Sequence, residues 1–151
     1  MFSASVRAEQ ERRGSRKMQA RRAAAGRFKG ELTEDAISFI GERNSAYFAT
    51  ASADGQPYVQ HRGGPAGFLR VVDARTVAFV NYPGNSQYIS LGNLAENERA
   101  FLFLMDYAAR RRLKLWGRAR AVSENSGETI VFSVLAWDWN CSQHIPRLLP
   151  G

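Results

Sequence analysis

The sequence contains one cysteine, Cys141, so its 151 residues cannot form an internal disulfide or supply the usual cysteine-rich zinc sites. Histidine is nearly as scarce, with two residues. His61 and His144 lie far apart, and beyond Cys141 near His144 no histidine or cysteine adds a further ligand at metal spacing, so no metal site is expected. No Gly-x-Gly-x-x-Gly follows a strand-like run, and both the Gly-Lys-Ser/Thr phosphate loop and the Gly-x-Ser-x-Gly elbow are missing. No apolar run approaches bilayer length, and the first residues lack the apolar core of a signal peptide, which makes a cytoplasmic location without membrane contact the expectation. Cys141 near His144 could form a nucleophile–base pair, but a lone cysteine after a tryptophan-rich strand is more often simply buried.

What is present reads as one globular unit, with 44% hydrophobic and 11% aromatic residues. The net charge of +7 is unevenly placed. Residues 1–30 hold nine Lys/Arg against Glu9 and Glu11, an excess of seven, so residues 31–151 balance at twelve of each sign. The division expected is therefore a basic arm, 1–30, and a neutral domain, 31–151. An Ala/Arg-rich arm of this kind reads as a solvated, partly helical extension that packs on a partner subunit or stays loose. It carries few aromatics and no recognised nucleic-acid pattern, so a nucleic-acid partner is not expected.

Residues 32–43 read as a short helix. Thr33 is its N-cap, Glu34 and Asp35 lie in the first turn, and Ala36, Ile37 and Ile40 form the buried face. From Ala46 the period becomes two. "AYFATASADGQPYVQHR" predicts a hairpin around Asp54-Gly55, and "GFLRVVDARTVAFVN" a second pair turning near Asp73 to Arg75. "NSQYISLGNLAEN" predicts a helix capped by Asn85 or Ser86, with Tyr88, Ile89, Leu91 and Leu94 on its apolar face. "RAFLFLMDY", "RRRLKLWGRARAV" and "ETIVFSVLAWDW" complete six or seven strands. Their connections are too short for parallel crossovers, so the fold class is mainly β, an antiparallel barrel or sandwich with short helices.

Three clusters could carry chemistry. In "QHRGGP" a strand is interrupted by donors and by two bare glycines; it is either a turn or a platform for a flat ligand. "NYPGNSQY" leads from a strand into a helix start, where free N–H groups would attract an anion. In "RRRLKLWGR", Arg112, Lys114 and Trp116 share one face of a strand while Leu113 and Leu115 take the other. Two cations beside an aromatic suit an edge strand, a subunit interface or a phosphate.

Taken in order, "GQPYVQHRGGPAGFL", "GNSQYISLGNL", "FLFLMDY" with "RRRLKLWGRARAV", and "AWDWNCSQHI" resemble the flavin-nucleotide-binding proteins related to pyridoxamine 5′-phosphate oxidase. The resemblance runs from about Leu32 to Ile145, with matching order and spacing to about Val122. It implies an antiparallel split β-barrel, a homodimer, and two FMN molecules held in clefts between the subunits. The family's flavin-contacting strand falls on Gln60, His61, Arg62, Gly63 and Gly64, and its second contact strand ends at Val80 and Asn81. The phosphate loop falls on Asn85, Ser86 and Gln87, and the contact from the opposite subunit on Arg112, with Lys114 and Trp137 or Trp139 nearby.

The sequence departs from the family in three ways. Ser86 stands where relatives usually carry arginine, the segment between Val122 and Thr129 is short, and the basic and tyrosine substrate residues of the oxidase itself have no counterparts. The resemblance therefore implies an FMN-binding, oxidoreductase-type protein and not a vitamin-B6 oxidase. No side chain stands out as acid or base. The alternatives are a flavin- or haem-binding module of the same fold without turnover, or a nucleic-acid-associated protein acting through the arm.

Overall fold

The computed structural model describes residues 1–27, 30–82, 87–124, 127–140 and 142–149. The arm forms two helices, α1 (Ala4–Arg12) and α2 (Arg16–Ala24), neither of which buries a residue. Then follow α3 (Glu34–Gly41), β1 (Ser45–Ala51), β2 (Pro57–Gly63), β3 (Arg70–Asp73), β4 (Thr76–Val80), α4 (Ile89–Glu96), β5 (Arg99–Asp106), β6 (Arg111–Glu124) and β7 (Gly127–Trp139). All seven strands belong to one antiparallel sheet of order β2-β1-β5-β6-β7-β4-β3. Among the described residues no helix is long and apolar enough to cross a membrane.

Alternation decides which side chains make the core. Leu102 and Leu104 of β5 lie opposite Leu115 and Leu113 of β6, and all four are fully buried. Phe48, Phe79, Phe132 and Ile130 fill the same interior. Phe48 of β1 meets Phe79 of β4 edge to face, with ring centroids 5.4 Å apart, although their strands are distant in the sheet order. The sheet therefore curls, bringing its two ends together around one core.

Gly117 explains how β6 and β7 stay paired through a bulge. Trp116 opposes Ala136 and Gly117 opposes Val134, so Leu135 is the extra residue. A Cβ on Gly117 would sit 2.2 Å from the carbonyl oxygen of Ser133. Only glycine lets the two strands approach there.

The helices lie where expected, with two changes of detail. In α3 the Thr33 side chain accepts from the Ala36 N–H, and the buried face is Ala36, Phe39 and Ile40, with Ile37 half-buried. In α4 the expected apolar face holds at Leu94, with Leu91 packed against the core, and fails at its first two residues. Tyr88 and Ile89 are exposed, and the buried residues are Ser90 and Leu94. The cause is polar: Ser90 donates to Gln60 and Asn93 donates to Thr50, which fixes the helix by hydrogen bonds to β2 and β1. The N-cap expected at Asn85 or Ser86 falls instead on Tyr88, whose backbone is left-handed at φ 55°. Asn85, Ser86 and Cys141 lie outside the described residues.

Candidate functional site

The interrupted strand is β2, and it forms one end of the sheet. It pairs with β1 in the register Arg62 to Ala46, His61 to Tyr47 and Gln60 to Phe48. Gln60 and Arg62 therefore share the inward face with Phe48, while His61 points outward beside Tyr47, the two rings 5.6 Å apart.

Arg62 links the two ends of the curled sheet. Its Nη1 donates to Asn81 Oδ1 at 2.5 Å, just past the end of β4, and Asn81 Nδ2 donates to Glu128 Oε2 at 3.1 Å. Burial holds the Arg62 pKa below the usual guanidinium value, and Tyr58 offsets that shift only in part. Its Nε is buried and has no hydrogen-bond partner among the described residues. Beside this bridge a cleft of about 170 Å³ is lined by Gln60, His61, Arg62, Gly63, Phe68, Val80 and Tyr82.

The two glycines have different work. A Cβ on Gly64 would lie 2.8 Å from the Cβ of Phe68, so this bare backbone accommodates Phe68. A Cβ on Gly63 would meet the His61 ring at 3.3 Å and the Asn44 carbonyl at 3.6 Å. Gly63 is the one that lines the cleft.

The second cluster lies on the outer face of the sheet. Across β5 and β6, Met105 opposes Arg112, Phe103 opposes Lys114 and Phe101 opposes Trp116. On the far side of β6, Lys114 opposes Asp138. The row continues in the other direction, because Phe103 opposes Tyr47 and Tyr47 opposes His61. The outer face is thus aromatic and apolar with cations set into it. Lys114 Nζ lies 5.1 Å from the Trp116 ring and 4.0 Å from Asp138 Oδ2. Burial lowers the Lys114 pKa most, Asp138 pulls it back up, and Arg112 and Arg27 push it down again. Arg112 Nε, like that of Arg62, is buried without a partner among the described residues.

Trp137 and Trp139 do not stand on this face. They oppose Leu115 and Leu113, which places them inward against the core. Trp137 Nε1 donates to the Glu31 carbonyl at 2.8 Å, and Trp139 packs edge to face on Phe39 at 5.0 Å. Gln87 is exposed just before α4, Val80 lines the cleft, and Asn81 belongs to the bridge. Sequence reasoning missed Phe68 and Tyr82, although both sit inside or beside the quoted motifs. It also missed Glu128, Asp138 and Arg27, whose contacts depend on strand pairing and carry no local signal. Among the described residues no three potential metal ligands cluster.

The family model described as pyridoxamine 5′-phosphate oxidase matches residues 32–138. The chain belongs to the pyridoxamine 5′-phosphate oxidase family. No curated protein is similar enough in sequence to count as a relative. Among solved structures, Group A Streptococcus HupZ aligns with a TM-score of 0.59 at 16% identity, over 78% of this chain and 98% of that one. A Clostridium acetobutylicum protein related to general stress protein 26, of the pyridoxinephosphate oxidase family, aligns with a TM-score of 0.55 at 10% identity, over 76% and 89%. An FMN-binding protein from Syntrophomonas wolfei aligns with a TM-score of 0.53 at 14% identity, over 70% and 84%. At these identities the likeness is one of fold. This member of the pyridoxamine 5′-phosphate oxidase family has the split β-barrel of its relatives.

Proposed function

We propose that the chain binds FMN in the cleft at β2, that a second copy completes the site, and that the loaded dimer is an oxidoreductase. The observation that carries this reading is the pair of arginine Nε donors, Arg62 at the cleft and Arg112 on the outer face, both buried and unpaired among the described residues. A buried donor without an acceptor costs about 1–3 kcal/mol, so each is explained best by an acceptor that a ligand or a second subunit brings. The cleft supports the same conclusion. Its 170 Å³ falls short of the ~300 Å³ at which ligand pockets begin, which supports a site that a second copy helps to enclose.

Gln60, Arg62 and the backbone of Gly63 would hold the ring system, with Phe68 and Tyr82 as apolar walls. Asn85, Ser86 and Gln87 would take the phosphate from the same chain, and Arg112 and Lys114 from the second copy. β2 and β6 are three strand spacings apart, about 14 Å, which suits their belonging to different halves of one shared site. The bound flavin supplies hydride and electron transfer, and this chain supplies orientation, charge and exclusion of water. The half-buried outer face, Phe101, Phe103, Met105 and Trp116, is the surface we assign to subunit contact.

The test is flavin-fluorescence titration with FMN and riboflavin, beside an absorption spectrum that separates flavin from haem. Arg112→Ala should weaken FMN by roughly 10- to 150-fold, as for loss of a charge-assisted hydrogen bond of about 1.5–3 kcal/mol, and leave riboflavin unchanged. Equal losses for both flavins would assign Arg112 to the fold or the interface. No binding of either flavin by the wild type would end the flavin reading.

A further inference from the structure

Asp138 stands on the outer face with its side chain only 14% accessible, and it meets two cations. One is Lys114, its direct neighbour across β6 and β7, at the limit of an ion pair at 4.0 Å. The other is Arg27 of the arm, whose Nε donates to Asp138 Oδ1 at 2.7 Å and whose guanidinium also donates to the Trp139 carbonyl at 3.2 Å. Arg27 therefore holds Asp138 closely and Lys114 does not. Arg112 lies two residues from Lys114 on the same face of β6 and acts on it as a like charge. Two cations meet this carboxylate and a third, Arg112, stands beside Lys114, an excess of two positive charges on a half-buried surface. That excess matches the dianion of a phosphate monoester.

We propose that Arg27 of the arm is part of an anion site on this face: by neutralising Asp138 it leaves Lys114 free to bind a phosphate-type anion together with Arg112. The inference rests on the reading that Arg112 and Lys114 meet a phosphate, and it adds Arg27 and Asp138, neither of which the family resemblance assigns to the site. It also gives the arm a role there. Without Arg27, the cation left beside Asp138 among the described residues is Lys114, so the carboxylate pairs with Lys114 and the excess charge falls from two to one. Arg27 is a positioning residue here, acting through Asp138.

A double-mutant cycle decides it, with pyrophosphate as a flavin-free probe measured by calorimetry, and with FMN and riboflavin measured by fluorescence at low and high salt. Arg27→Ala should weaken pyrophosphate and FMN roughly three- to tenfold at low salt, less at high salt, and leave riboflavin unchanged. Asp138→Asn alone should bind the anions at least as well as wild type. Arg27→Ala combined with Asp138→Asn should return to within about twofold of wild type, because Lys114 is free again. A role limited to anchoring the arm would not give that rescue. Unchanged pyrophosphate affinity in Arg27→Ala, a double variant no better than Arg27→Ala, or no pyrophosphate binding by the wild type at low salt would each overturn the proposal. Pyrophosphate binding that follows the cycle in a protein that ignores FMN would uphold it and overturn the flavin reading instead.

Discussion

β5 and β6 present two faces made from the same two stretches of chain, and the faces differ in kind. Inward stand Leu102, Leu104, Leu113 and Leu115, aliphatic and without accessible surface. Outward stand Phe101, Phe103, Met105, Arg112, Lys114 and Trp116, aromatic, apolar or cationic and only half-covered. An outer face meant for water would alternate into short polar residues. This one keeps large apolar surface and buries an arginine donor without a partner among the described residues. One face is complete within the chain and the other is not, and that difference separates folding from function on a single ribbon.

The largest effect should come from breaking the inner face. Leu115→Ala removes a fully buried side chain from the centre of the core, and such truncations cost about 2–5 kcal/mol. Denaturant unfolding should show this loss at every protein concentration. A concentration-dependent loss would mean that Leu115 stabilises the assembly more than the chain.

Breaking the outer face should act differently. Phe103→Glu places a carboxylate among the Tyr47, Met105 and Trp116 rows that we assign to subunit contact, and should disfavour association by more than about 2 kcal/mol. Sedimentation should shift from dimer to monomer while circular dichroism keeps the β signature. A variant that unfolds, or one that sediments as the wild type does, would remove this face from the interface.

These two faces also mark how far the sequence could be read. The period of two in "RRRLKLW" and "FLFLM" is enough to place Leu113, Leu115, Leu102 and Leu104 on one side, and the hairpins follow from Asp54-Gly55 and Asp73 to Arg75. The interior was legible because burial of aliphatic side chains dictates it locally. The start of the α4 face was not, because hydrogen bonds from Ser90 and Asn93 outweigh the apolar Ile89. The bridge from Arg62 through Asn81 to Glu128 joins three strands, and the Arg27–Asp138 contact spans 111 residues. The inward side of the two tryptophans was not legible for a related reason. The extra residue at the Leu135 bulge resets the alternation of β7, so the side on which Trp137 and Trp139 fall cannot be counted from the start of the strand.

A smaller effect should appear on changing pH. Burial and two neighbouring cations lower the Lys114 pKa below the ordinary lysine range. A lysine lowered on folding binds its proton more weakly in the native state, so between the lowered and the ordinary value the unfolded chain holds more protons. Apoprotein stability should therefore gain from Lys114 as pH rises through that window. Anion binding should move the opposite way, because it needs the ammonium charged, and should weaken at a pH where an ordinary lysine is still protonated. Titration of pyrophosphate affinity against pH in wild type and Lys114→Met separates the two. An identical alkaline decline in both would assign it to another group.

The smallest effect should come from removing most of the arm. Helices α1 and α2 bury no residue, Glu9 is occupied by Arg12 and Arg13 within the arm itself, and each helix is nine residues long, too short to be stable alone in water. Deleting residues 1–26 therefore removes exposed helix and several cations but keeps Arg27 on Asp138. Thermal unfolding of the truncated protein should match the full chain to within about 0.5 kcal/mol, the range expected of changes away from any buried contact. The anion affinity of this truncation should also stay close to wild type, whereas extending the deletion by one residue should reproduce the weakening of Arg27→Ala. That one-residue difference isolates the arm's end from its helices. If residues 1–26 prove necessary for soluble dimer, the helices pack on the partner subunit and the arm belongs to the interface along its whole length.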